Sequence, residues 1–127
     1  CTAKCPARRT LASMDKWRDR FAETFPLLLP LRDAATPLYG SDWPPRSVLQ
    51  RMLDAAGVRT ASGLPLRLVA PEAGGLSYEG RLYERGELEF REHSWHDLFN
   101  VLVWLAFPRA KAALNARHRA APVVAQG

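Results

Sequence analysis

The side chains that could do chemistry crowd into one stretch, Ser94 to His118, SWHDLFNVLVWLAFPRAKAALNARH. Apolar bulk is dense there, yet His96, Asp97, Asn100, Lys111, Asn115 and His118 interrupt it at helical spacings. A polar group in apolar surroundings needs a hydrogen-bonding partner or a task. His96, Asp97 and Asn100 are the candidate catalytic residues, with His96 as a general acid or base. Neighbouring helical residues point about 100° apart, so His96 and Asp97 are not expected to touch. Asp97 instead reads as the acid of a capping box opened by Ser94. His96 and Asn100 lie one turn apart on a stripe that Val103 and Phe107 extend, and both are expected to face inward. Lys111, Asn115 and His118 fall within one arc of the next helix. All three can donate hydrogen bonds, which makes them candidate ligand-binding residues suited to an anion.

His93, His96, Asp97 and the more distant His118 have the residue types of a metal site. They carry the alternative function, a metal-dependent, nuclease-like hydrolase that uses a divalent metal. No metal or other cofactor is expected, because His-Glu-x-x-His, zinc-finger spacing and an acid pair for two metals are all missing. Two thiols, Cys1 and Cys5, do not complete a tetrahedral zinc site. A nucleophile elbow and a phosphate-binding glycine loop are missing as well.

The elements that must position these residues can be read from periodicity and punctuation. Trp17, Phe21 and Phe25 recur every four residues and predict a helix over 14–25. Pro26 and Pro30 bracket three leucines in a buried extended link or single turn, and a short helix follows over 31–35. Residues 39–45 read as a loop whose prolines open a helix over 47–56, ended by Gly57. Residues 64–70 read as a strand, and 71–75 as a flexible connection. Residues 78–84 and 87–92 read as a hairpin closed by Arg85-Gly86, with Tyr83 opposite Leu88 and Glu84 opposite Glu87. The helix after Ser94 should run to about Ala106. Pro108 then pushes Phe107 out of helical geometry and opens a second helix to about Arg119. Trp95, Phe99, Leu102, Trp104 and Leu105 should be mostly buried.

The expected fold is α+β: N-terminal helices, a small antiparallel sheet with a hairpin, and a C-terminal helix pair broken at Phe107-Pro108. With 127 residues, one domain over 14–120 is expected, between a disordered extension (1–13) and a flexible tail (121–127). The net charge of +5 is unevenly spread. Residues 108–127 carry Arg109, Lys111, Arg117 and Arg119 with no acid, which could attract an acidic partner or nucleic acid. No apolar run is long enough to span a membrane, and no disulfide framework or secretory leader is evident, so a soluble cytoplasmic protein is expected.

The run Tyr78-Glu79 to Glu92, Trp95-His96-Asp97-Leu98-Phe99-Asn100, Val103-Trp104-Leu105, Phe107-Pro108, Lys111 and Leu114-Asn115-Ala116-Arg117-His118 resembles the bacterial domain-of-unknown-function family 3025. The similarity extends to Trp43-Pro44 and the helix after it, and covers roughly residues 17–118. It implies a proteobacterial protein with no assigned activity, cofactor or ligand. Family members continue well past the Asn-Ala-Arg-His segment, so the resemblance implies a C-terminally truncated member. The residues themselves point first to a non-enzymatic binding or interaction module that uses the polar stripe of its last helix. Metal-dependent hydrolysis is the alternative.

Overall fold

The computed structural model describes residues 16–24, 26–71 and 77–120. The expectations for residues 1–13 and 121–127, including Cys1 and Cys5, lie outside them. A short helix α1 (Phe21–Thr24) leads to a 3₁₀ segment (Pro26–Leu31), helix α2 (Arg32–Ala35) and a further 3₁₀ turn (Thr36–Leu38). Helix α3 (Arg46–Ala56) precedes strand β1 (Arg67–Val69). Helix α4 (Tyr78–Arg85), strand β2 (Glu87–Glu89), helix α5 (Trp95–Ala106) and helix α6 (Pro108–Ala120) complete the order.

The fold is α+β, but its sheet is not the expected hairpin. Residues 78–85 are helical, and β2 pairs with β1 in parallel, Leu68 opposite Leu88. Local signals explain the correction. Ser77 Oγ accepts the Gly80 N–H at 3.0 Å and caps the start of α4. Gly86 takes φ 71° and closes the far end, its N–H bonded to α4 carbonyls. The Arg-Gly pair is thus a helix stop, not a hairpin turn. Arg67 N then donates to Gly86 O at 2.8 Å, and Phe90 N to Val69 O at 2.8 Å. A parallel pair needs a crossover between its strands, and α4 lies on it. Glu84 and Glu87, expected to face each other across a hairpin, lie on different elements.

The N-terminal reading also needs correction. Residues 16–20 are not helical, and Arg20 has φ 56°, which the helix cannot continue through. The four-residue spacing of Trp17 and Phe21 serves an aromatic cluster instead. Trp17 stacks on Trp95 at 5.2 Å, Phe21 meets Trp95 edge-on at 5.2 Å, and Trp43 lies 4.6 Å from Trp95. Of the two readings of the three leucines, the structure has the turn rather than the buried extended link, as a short 3₁₀ segment with Leu27 91% exposed.

The helix bounds read from α3, α5 and α6 hold closely. Gly57 ends α3 at φ 64°. Phe107, held out of helical geometry by Pro108, separates α5 from α6. Helix α5 is the centre of the molecule, in contact with α2, α3, α6 and the first 3₁₀ segment. Its Leu98, Val101, Leu102 and Trp104 are buried, while Trp95, Phe99 and Leu105 are half-buried against the core. Leu49 and Leu53 of α3, Leu68 and Leu88 of the sheet and Leu82 of α4 join the same cluster. Among the described residues, no helix is long and apolar enough to cross a membrane.

Candidate functional site

Two first turns and one helix face set up the polar site. Capping by Ser77 places Tyr78 and Glu79 at the start of α4, where the helix dipole favours a carboxylate. Helix α5 carries Asn100 one and a half turns in, and α6 carries Lys111, Asn115 and His118. Helices α4 and α6 pack against each other, so the stripe expected to face a ligand faces α4 instead.

Glu79 gathers that stripe. Asn115 Nδ2 donates to Glu79 Oε1 at 2.7 Å and to the Glu79 carbonyl at 3.1 Å. His118 Nδ1 lies 3.6 Å from Glu79 Oε2. Asn115 is only 3% exposed, whereas His118 remains exposed. Asn115 Oδ1 is buried without a hydrogen-bond partner among the described residues. Lys111 is half-buried, with Nζ 5.8 Å from the Trp104 ring centroid. Burial pulls its pKa below the ordinary lysine value, and the Glu79 charge opposes that shift. The three residues do share one arc, but they do not form an open stripe. They tie α6 to α4.

Asn100 extends the site in the other direction. Its Nδ2 donates to the Tyr78 hydroxyl at 2.8 Å. Partial burial pushes the phenol of Tyr78, a residue still 38% exposed, up to about 12, a shift that the Asn100 hydrogen bond opposes and the nearby Glu79, Asp97 and Glu89 charges add to. Tyr78 and Glu79 thus join four of the sequence candidates, Asn100, Lys111, Asn115 and His118, although neither was singled out. Recognising Ser77 as a cap would have found them, since it places both on a helix facing α6.

The His96 and Asp97 readings change. His96 is 89% exposed at its side chain, not inward-facing. The inner side of α5 is already filled by Leu98, Val101, Leu102 and Trp104, so the His96 stripe runs along the surface, where Phe107 is also exposed. Asp97 and His96 do touch, with His96 Nδ1 at 3.0 Å from Asp97 Oδ1. The Ser94 cap is present, with Asp97 N donating to Ser94 Oγ at 3.2 Å. The Asp97 carboxylate serves the preceding loop instead of closing a capping box. Its Oδ2 accepts from Arg91 N at 2.8 Å and from the Arg91 guanidinium at 3.3 Å. First-turn side chains lean towards the helix N-terminus, which brings this carboxylate back to the chain entering α5.

The histidines do not converge. His93, at φ 64°, stacks on Trp43 at 5.4 Å, while His96 pairs with Asp97 and His118 with Glu79. Among the described residues, no group of three or more His, Cys, Asp or Glu side chains could hold a metal ion. The sequence reading also missed a buried ionic cluster. Arg81, 4% exposed, bonds Glu89 at 2.9 Å and Glu87 at 3.4 Å. It locks α4 onto β2, and its charge hides an inward-facing position from any apolar pattern.

With this geometry in hand, comparison with known proteins gives one match. The model of a family described as protein of unknown function (DUF3025) matches residues 66–126. No curated protein and no solved structure matches the chain.

Proposed function

We propose, from the premise that this chain belongs to family DUF3025 over residues 66–126, that it is a non-enzymatic binding module whose α6 face recognises an acidic protein partner. One observation carries this reading. The outward side of α6 presents Arg109, Ala113, Leu114 and Arg117, all exposed, and residues 108–120 contain no acid. Leu114 is half exposed at the centre of that face. An exposed aliphatic anchor flanked by arginines has the composition of a protein interface, and the uncompensated charge selects an acidic partner. Asn115 supports the face from below by fixing α6 to Glu79. No aromatic side chain lies on it, so it lacks a stacking platform for nucleic acid.

Fluorescence anisotropy with Glu/Asp-rich peptides bearing a central leucine, and in parallel with duplex DNA, tests this reading. Peptide binding should weaken at least tenfold in Arg117→Glu and in Leu114→Asp, and fall with added salt. Binding to DNA alone, or binding to peptide that both variants retain, would overturn it.

A second reading has one observation in its favour. Buried Asp97 holds His96 Nδ1 and leaves the rest of an exposed imidazole to solvent, the arrangement of an oriented general base. This supports a hydrolase that needs neither His93 nor His118. Turnover of a hydrolysable ester or phosphodiester lost in His96→Gln, with the fold retained, would put this reading first.

A further inference from the structure

A groove of ≈ 820 Å³ lies between α3 and the chain entering β1, away from every residue discussed as a candidate so far. Its floor is apolar, with Leu64 and Pro65 beside the buried Leu66. Arg46, Arg67 and Arg85 also line it. Backbone geometry puts the latter two together. Gly86 ends α4 directly after Arg85, and its carbonyl accepts the Arg67 N–H at 2.8 Å. Gly86 can sit this close only because it lacks a side chain, since a Cβ there would meet Pro65 O at 2.6 Å.

Two acids, Asp54 and Glu92, also line the groove, and both keep their charge because their donors are neutral. Glu92 accepts the Arg46 N–H at 2.9 Å, and Asp54 accepts from Gln50 Nε2 at 2.9 Å. Arg67 reaches Glu87 only at 3.7 Å, and that carboxylate is shared with buried Arg81. The guanidinium groups of Arg46 and Arg85 have no carboxylate partner among the described residues. The three arginines outnumber the two lining carboxylates, so the groove is net positive and favours an anion. Guanidinium forks suit phosphate and carboxylate oxygens, and the volume falls within the range of small-molecule sites.

We propose that this groove binds a small organic polyanion, with its phosphate or carboxylate groups on Arg46, Arg67 and Arg85 and its body on Leu64 and Pro65. Phosphate and carboxylate share the recognising chemistry, so the test has an arm for each. Isothermal titration of the full chain with pyrophosphate and with citrate, against potassium chloride at equal ionic strength, should show saturable one-to-one binding of at least one of them. Whichever binds identifies the charged group. Arg46→Glu and Arg85→Glu should each weaken it tenfold or more, and Arg32→Glu, on α2 outside the groove, should leave it unchanged. Circular dichroism of each variant checks the fold, and Arg46→Gln and Arg85→Gln replace any variant that fails to fold. No saturable binding by either probe, or equal binding across the groove variants, would overturn the proposal.

Discussion

Tyr78 is the residue whose ionisation should report most directly on the polar site. Its folded pKa is pushed up to about 12 from an ordinary value of 10, so folding favours the protonated phenol. The stability it contributes is fully present below pH 10 and is lost as pH rises towards 12. Lys111 works in the other direction. Its lowered folded pKa means that the charged amine opposes folding, and this cost fades as pH rises towards 10.5. Tyr78→Phe leaves Lys111 in place and so isolates the phenol. A spectrophotometric titration should lose its most alkaline phenolate transition in this variant, and an unchanged profile would show that Tyr78 is not held as described. Position also separates His96 from its neighbour. His96 is exposed, so His96→Ala should change stability by less than about 0.5 kcal/mol. Asp97 is buried and accepts the Arg91 N–H, so Asp97→Ala should cost about 1–3 kcal/mol. Urea denaturation of the two variants checks the order. A larger loss at His96 would restore the inward-facing histidine that the helical stripe suggested.

At the scale of elements, what the sequence revealed depended on whether an element announces its ends and hides only apolar groups. Helices α3, α5 and α6 do both. Gly57, Ser94 and the Phe107-Pro108 break fixed their limits, and leucines at helical spacing marked their inner faces. Helix α4 does not, because its inward side includes Arg81, neutralised by Glu87 and Glu89 from the strand that follows. Tyr78, Gly80 and Leu82 then mimic strand alternation, and Gly86 mimics a hairpin turn. The polar site was legible only as a set of residue types. The carboxylate that organises Lys111, Asn115 and His118 lies 36 residues before Asn115 in the chain, beyond the reach of any local pattern. Gly86 should therefore cost more to replace than Gly57. Both Gly57 and Gly86 have positive φ, but a Cβ at Gly57 meets nothing within 4 Å, whereas at Gly86 it meets Pro65 O. Gly57→Ala should cost about 1–2 kcal/mol for its conformation alone. Gly86→Ala should cost more and disturb the β1–β2 ladder, as read by urea denaturation and amide exchange at Leu68 and Leu88. Equal costs would show that the close approach at Pro65 relaxes freely.

Across the whole molecule, the family match and the hydrophobic core do not coincide. The match covers residues 66–126, yet the hydrophobic cluster that seats α5 draws half its members from earlier in the chain. Phe21, Leu31, Ala35, Leu38, Leu49 and Leu53 are all buried and all precede residue 66. Trp17 and Trp43 add rings that stack or tilt against Trp95. Without these residues, the α5 side chains facing α2 and α3 would open to water, and each large apolar side chain exposed loses about 1.5–3 kcal/mol of burial. Domain stability is typically only about 5–15 kcal/mol, so losing several such contacts exceeds what the remaining half could supply. A chain restricted to residues 66–127 should therefore lack a cooperative thermal transition and bind a hydrophobic dye, while the full chain melts in a single step. The buried Arg81 cluster gives that experiment an internal control. Arg81, Glu87 and Glu89 all lie within the shorter chain, so their ion pairs remain available to it and loss of folding could not be assigned to them. If the 66–127 chain melts cooperatively with native-like near-ultraviolet dichroism, the matched segment is a domain in its own right and the N-terminal elements only cover it.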